Sequence, residues 1–170
     1  MANKSHLDDL INYKENVIRS ISESQKVLSL ISNNPNIVVG SAEAEDIVDN
    51  HIYNFDYVPT TQQTSTAVVL IDSDMVRATS TTKRVELYVQ IIVSKNYMDL
   101  RGQGFIGLKG NRRDNLIRFI DLLISNSQDY GIGRLNLESA ITAKVPDDFT
   151  SKLLTYVTPN FSRNRELGNV

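Results

Sequence analysis

The sequence predicts an α+β fold, a mixed, mostly antiparallel sheet packed by two main helices in the order helix, strand, strand, helix, strand, strand. Two helical patterns and one strand pattern carry this reading. Leu7, Leu10, Ile11, Val17, Ile18, Ile21, Leu28 and Ile31 recur at spacings of three and four, as do Leu116, Ile117, Phe119, Ile120, Leu123 and Ile124. That is the period of a helix with one buried face. Between them Val85, Leu87, Val89, Ile91 and Val93 share one face of an extended segment, with Glu86, Tyr88, Gln90 and Ser94 on the other.

Each element has its own start and stop signals. Ser5, with Asp8 three residues on, resembles a capping box, and Asp9 adds a second acid where a helix start favours negative charge, so a helical segment spans residues 5–32. Ser22, Glu23 and Ser24 interrupt its pattern. Either the helix is continuous, or a short second helix is recapped over Gln25 to Ile31, with Asn33, Asn34 and Pro35 ending it. Residues 37–66 read as extended or irregular chain, anchored by the patch Ile52, Tyr53, Phe55, Tyr57 and Val58 and closing in a turn over 60–66. Ala67 to Ile71 is a strand stopped by Asp72, Ser73 and Asp74, and the polar turn from Ala78 to Lys83 leads into the strand around Val89, giving an antiparallel hairpin. Asn111 caps the second main helix, whose polar exit runs from Ser125 to Asp129 with Gly131 beyond. Leu135, Leu137 and Ile141 alternate with polar residues, and Leu153 to Val157 ends before Pro159, making a second strand pair. The tail 162–170 is polar and is expected to stay mobile until a partner orders it.

Composition bounds the function. The 170 residues suit one domain spanning 1–170, and 41% hydrophobic with 22% charged residues fits a globular protein. A formal net charge of -2 argues against sequence-independent nucleic-acid binding, which draws on excess Lys and Arg. With no cysteine, disulfides, thiolate nucleophiles and Cys-type zinc sites are excluded. The first residues lack an apolar signal core, and no apolar run approaches the roughly 20 residues that span a bilayer. A soluble, intracellularly made protein without membrane contact is expected.

The motif with the most to explain is Gly102, Gly104 and Gly107, which spell GxGxxG after a strand and before a helix. In a dinucleotide site the helix begins inside that motif and points at the pyrophosphate. Here the best cap is Asn111, with Asp114 three residues later, which leaves a loose loop from Gly102 to Gly110 instead of a phosphate cradle. Lys95, Arg101, Lys109, Arg112, Arg113 and Arg118 surround it, and Asp99, Asp114 and Asp121 dilute their charge, which favours pairing with acids of a neighbouring subunit over binding phosphate. Arg112 and Arg113, at the first turn of the helix, oppose its dipole; they are expected to face solvent and to be answered by an external acid. Gly102, Gly104, Gly107, Lys109, Gly110, Arg112 and Arg113 are therefore the expected interface.

Other groupings have plain explanations. His6 reads as a surface residue near a helix start. His51 follows Glu43, Glu45, Asp46 and Asp49, acids that suit a hard cation by type but lack a known ligand spacing. Asp72 and Asp74 read as turn residues. No GxSxG elbow occurs. No catalytic, cofactor-binding or metal-binding residues are expected, and the chain reads as no enzyme. Two other classes stay open: a nucleotide-binding enzyme using the glycine loop, and an intracellular adaptor.

Tyr13-Lys14, the run Val27 to Ile31, Tyr57-Val58-Pro59, the Val85 to Val93 hairpin, Arg113 to Ile117, Ile120 to Leu123 and Asp129 to Leu135 together resemble the small neck proteins of long-tailed bacteriophages, in particular tail terminators and head-tail joining proteins. The resemblance spans Asn12 to Phe161. It implies a mixed sheet flanked by helices, assembly into a homo-oligomeric and typically hexameric ring, and a place in the virion neck or tail. Such a ring caps the tail tube, joins it to the head, and lets genome DNA pass without sequence-specific binding. A head-completion or stopper protein of the same connector is the second reading. The family brings no catalytic residues, and both the 37–66 connection and the glycine loop exceed its smallest members.

Overall fold

A computed structural model of the chain describes residues 8–54, 66–78, 82–127, 130, 134–158 and 161–162. The architecture is α+β. Four α-helices, α1 (Asp8–Ser22), α2 (Gln25–Ser32), α3 (Ala42–His51) and α4 (Arg112–Asn126), accompany strands β1 (Ile52–Tyr53), β2 (Ala67–Ala78), β3 (Thr82–Ser94), β4 (Asn136–Ile141), β5 (Phe149–Val157) and β6 (Phe161–Ser162). The sheet order is β1-β2-β3-β5-β4, with β6 also pairing β3. Among the described residues the β1–β2 pair is parallel, and β2–β3, β3–β5, β3–β6 and β4–β5 are antiparallel.

One sheet face carries the main core. Val69 and Ile71 of β2, the alternating Val85 to Val93 set of β3, and Leu154 and Tyr156 of β5 are buried against Tyr13, Val17 and Ile21 of α1, Leu28 and Ile31 of α2, and Leu116, Ile120 and Ile124 of α4. Tyr13 packs edge-on against Tyr130, with ring centroids 6.1 Å apart, and burial pushes its phenol well above the usual tyrosine range. The opposite face holds a smaller cluster of Val68, Leu70, Ile92 and Phe149, partly roofed by Tyr53 and Val145.

The interruption at Ser22 to Ser24 does divide the N-terminal segment. Asn33 ends α2 in the left-handed region at φ 61° and ψ 24°, its N–H returning to the Ser29 carbonyl, a turn that Asn tolerates better than most residues.

Two expectations are corrected here. Within 37–66 the chain is not irregular throughout, because residues 42–51 form α3. The Ser41 hydroxyl accepts the Ala44 N–H, Glu43 and Glu45 occupy the first turn, and Ala44 and Ile47 face the core. β2 does not stop at Asp72; it runs to Ala78, with Asp72, Ser73 and Asp74 paired opposite Tyr88, Leu87 and Glu86. Asp72 sits where the short β1 no longer covers β2, and Lys14 of α1 reaches it at 3.3 Å. Ser5, His6, the 55–65 part of the aromatic patch and turn, the turn tip at 79–81, Gly131 and the 163–170 tail lie outside the described residues.

Candidate functional site

Residues 98–111 leave the sheet after the short 3-10 helix Lys95–Tyr97 and return at α4. Gly102, Gly104, Gly107 and Gly110 have φ of 74°, 81°, 82° and 85°, the half of backbone space that L side chains avoid. The glycine spacing is thus a requirement of consecutive turns. A Cβ on Gly104 would also lie 3.2 Å from Pro35 Cγ, so the loop presses on the turn after α2. Gln103 accepts a hydrogen bond from Asn33 Nδ2 at 2.9 Å, and the Ile106 N–H donates to the Gly104 carbonyl at 3.0 Å. The loop is more built than the loose connection the glycines suggest.

Its root is Arg112, and here the expected solvent-facing arginine is corrected. Arg112 is 1% exposed. Its Nε donates to the Tyr97 carbonyl at 2.6 Å, Nη1 donates to the Leu30 carbonyl, and Nη2 donates to Asn33 Oδ1 at 2.5 Å. The guanidinium lies 3.9 Å from the Tyr97 ring centroid and 5.7 Å from that of Phe105. Burial pulls its pKa below the ordinary arginine value, with the neighbouring Tyr97 acting the other way. The Tyr97 hydroxyl closes the arrangement on the Ile31 carbonyl at 2.8 Å. The charge that opposes the dipole of α4 is answered by the carbonyl end of α2, where a cation is favoured. No external acid is required, and Arg112 is unavailable to one.

The remaining expected residues divide. Arg113 is half-buried, donating to Thr150 of β5 and pairing with Asp114 Oδ1 at 3.2 Å, so it too is held within the chain. Lys109 is exposed and, among the described residues, has no hydrogen-bond or ion-pair partner for its ammonium; its carbonyl accepts from the buried Asn115 at 2.9 Å. Arg101 is exposed and paired with Asp99, whose carboxyl it holds down at about 2. Ile106, between Gly104 and Gly107, is 97% exposed, an extreme value for a large aliphatic residue. Sequence reading passed over it in favour of the charges, although an apolar residue flanked by turn glycines was a visible signal.

At the start of α4 the Arg112 N–H donates to the Met98 carbonyl and the Asp114 N–H to Asn111 Oδ1, and the Asp114 carboxylate stands beside them. A phosphate there would meet a carboxylate and donors already engaged, unlike the arrangement at a dinucleotide site. The acids before His51 lie along α3, where Glu43 accepts from Asn34 and Asp46 from Asn50. His51 Nδ1 sits 3.0 Å from the Ala67 carbonyl and 3.2 Å from Thr66 Oγ1. Among the described residues no group of three potential ligands is placed to hold a metal ion, and no helix is long and apolar enough to cross a membrane.

Apolar surface gathers elsewhere as well. β4 is a sheet edge, and Leu137 and Ile141 on it are exposed, as is Leu122 of α4. Near the start of α2, a groove of about 480 Å³ opens between the α1–α2 turn and α3.

Residues 7–158 match the family model described as YomW. A comparison with curated proteins returns no match.

Proposed function

Because the chain belongs to the YomW family, a phage-associated family, we propose that it is a structural protein of the virion neck or tail, acting as a tail terminator. In this reading several copies, six by the resemblance, close into a ring that caps the tail tube and contacts head-completion or connector proteins. Genome DNA passes through the ring without base readout. The protein works in the particle after synthesis in the host cytoplasm, and its task is assembly and not catalysis.

The observation that carries the proposal is the β4 edge. An edge strand offers unpaired backbone groups, and proteins that work alone shorten, charge or cover such edges. Here six residues run along the edge, with one bulge after Leu137, and Leu137 and Ile141 are exposed. A ring of identical subunits uses unlike surfaces head to tail, and closure consumes edges that would otherwise aggregate. The anchored glycine loop supplies a second projecting surface.

Native mass measurement and negative-stain imaging at micromolar concentration, with imaging of the assembled particle, test the proposal. A ring is expected. A strict monomer in solution and in the particle would sink it.

A further inference from the structure

The groove beside α3 and the tip of the glycine loop are complementary in chemical character. The groove has an apolar lining of Val39, Ala44 and Val48, with Glu23, Glu45 and Asp49 around it. Val39 is 42% exposed, a branched side chain left uncovered beside three acids. The loop has the opposite character. Ile106 is 97% exposed, and the exposed Lys109 lies three residues on, while Arg101 on its other side is paired with Asp99.

Their placement decides how the two can meet. Ser22 and Glu23, at the groove, immediately precede α2, whereas Asn33, which binds Gln103 of the loop, ends it. The eight residues of α2 put about 12 Å between those points. Arg112 and Asn33 tie the loop to the far end of the helix, so Ile106 projects from one end while the groove opens near the other. A projection and a recess at different places on one chain make a heterologous contact, the kind that propagates from copy to copy and closes into a ring.

The geometry points to Ile106 of one copy seated in the Val39–Val48 groove of the next copy, with Lys109 set against the rim of Glu23, Glu45 and Asp49. This rests on the ring reading above and names its subunit contact. The apolar residue supplies affinity, and Lys109 favours the acidic rim over a groove-to-groove contact, in which acids would face acids.

Since the chain has no cysteine, two single-cysteine proteins, Ile106→Cys and Val48→Cys, report the contact directly. Mixed under mild oxidation, they should form a disulfide-linked dimer faster than Ile106→Cys mixed with Glu15→Cys, an exposed position midway along α1. Equal rates would overturn the contact. In sedimentation velocity, Ile106→Asp should weaken association by about tenfold to a hundredfold, the loss expected when one aliphatic side chain is no longer buried. Ile106→Leu should retain association, and Glu45→Lys should recover part of what Lys109→Glu loses. Rings that close normally in Ile106→Asp, without the cross-link, would overturn this contact and leave the ring standing. A chain that remains monomeric in solution and in the particle would overturn both.

Discussion

Arg112 occupies the first position of α4, where sequence gives every reason to place it in water, yet its guanidinium is spread over acceptors from Leu30, Asn33 and Tyr97. Nothing local announces this. The Leu30 carbonyl is 82 residues away in the chain, and only the packing of α2 against α4 brings it near. Arg112→Met should cost about 3 kcal/mol, because three acceptors, one buried and two part-buried, lose their donor together. Arg112→Lys should recover little, since an ammonium lacks the planar fork. Urea unfolding measures both. Reversing Arg112 and Arg113 together to Glu should unfold the protein instead of merely altering its surface, since a buried carboxylate would then face carbonyls. Glycine substitutions separate conformation from contact. Gly104→Ala meets both a φ of +81° and the Pro35 ring, whereas Gly107→Ala meets only its φ of +82°. The second should cost about 1 kcal/mol and the first measurably more.

At the scale of elements, the sequence was most readable where one pattern repeats. The alternation around Val89 placed β3, and Asn111 with Asp114 placed the start of α4, where the Asn111 side chain accepts the Asp114 N–H at 2.9 Å. Asn111→Ala should cost about 1 kcal/mol by thermal unfolding. α3 was hidden because it is short and its acids drew attention as possible ligands, although Ser41 before Glu43 and the Ala44, Ile47, Val48 spacing carried the helix signal. β2 was cut short because Asp72 and Asp74 suit turns; its pairing with β3 overrides that preference. On that ladder the Tyr88 hydroxyl donates to Glu86 at 2.7 Å, and this bond, with smaller contributions from burial and the nearby Asp74 and Glu138 charges, raises the phenol to about 12. A phenol that keeps its proton longer when folded stabilises fully below the unfolded value near 10, and that contribution is lost as pH rises towards 12. Tyrosinate absorbance, taken as the difference from Tyr88→Phe, should show this late titration, and Glu86→Gln should bring it down towards 10.

For the whole molecule, the fold class was legible from periodicity, but the sheet order that leaves β4 at an edge was not, because strand neighbours are set by pairing between distant segments. Ile141→Lys should leave the melting temperature nearly unchanged, since the residue is 54% exposed, while reducing assembly measured by native mass. Amides from Gly102 to Gly110 should exchange more slowly in the proposed ring than in the free chain; equal protection would remove the loop from assembly. Arg112 is held by two carbonyls and an amide oxygen, and among these partners there is no carboxylate. Acid that neutralises aspartates and glutamates near pH 4 therefore finds nothing to protonate at the joint, and arginine keeps its charge throughout. Carboxylates on protein surfaces lose their charge in such a medium, but the projecting loop should keep its footing.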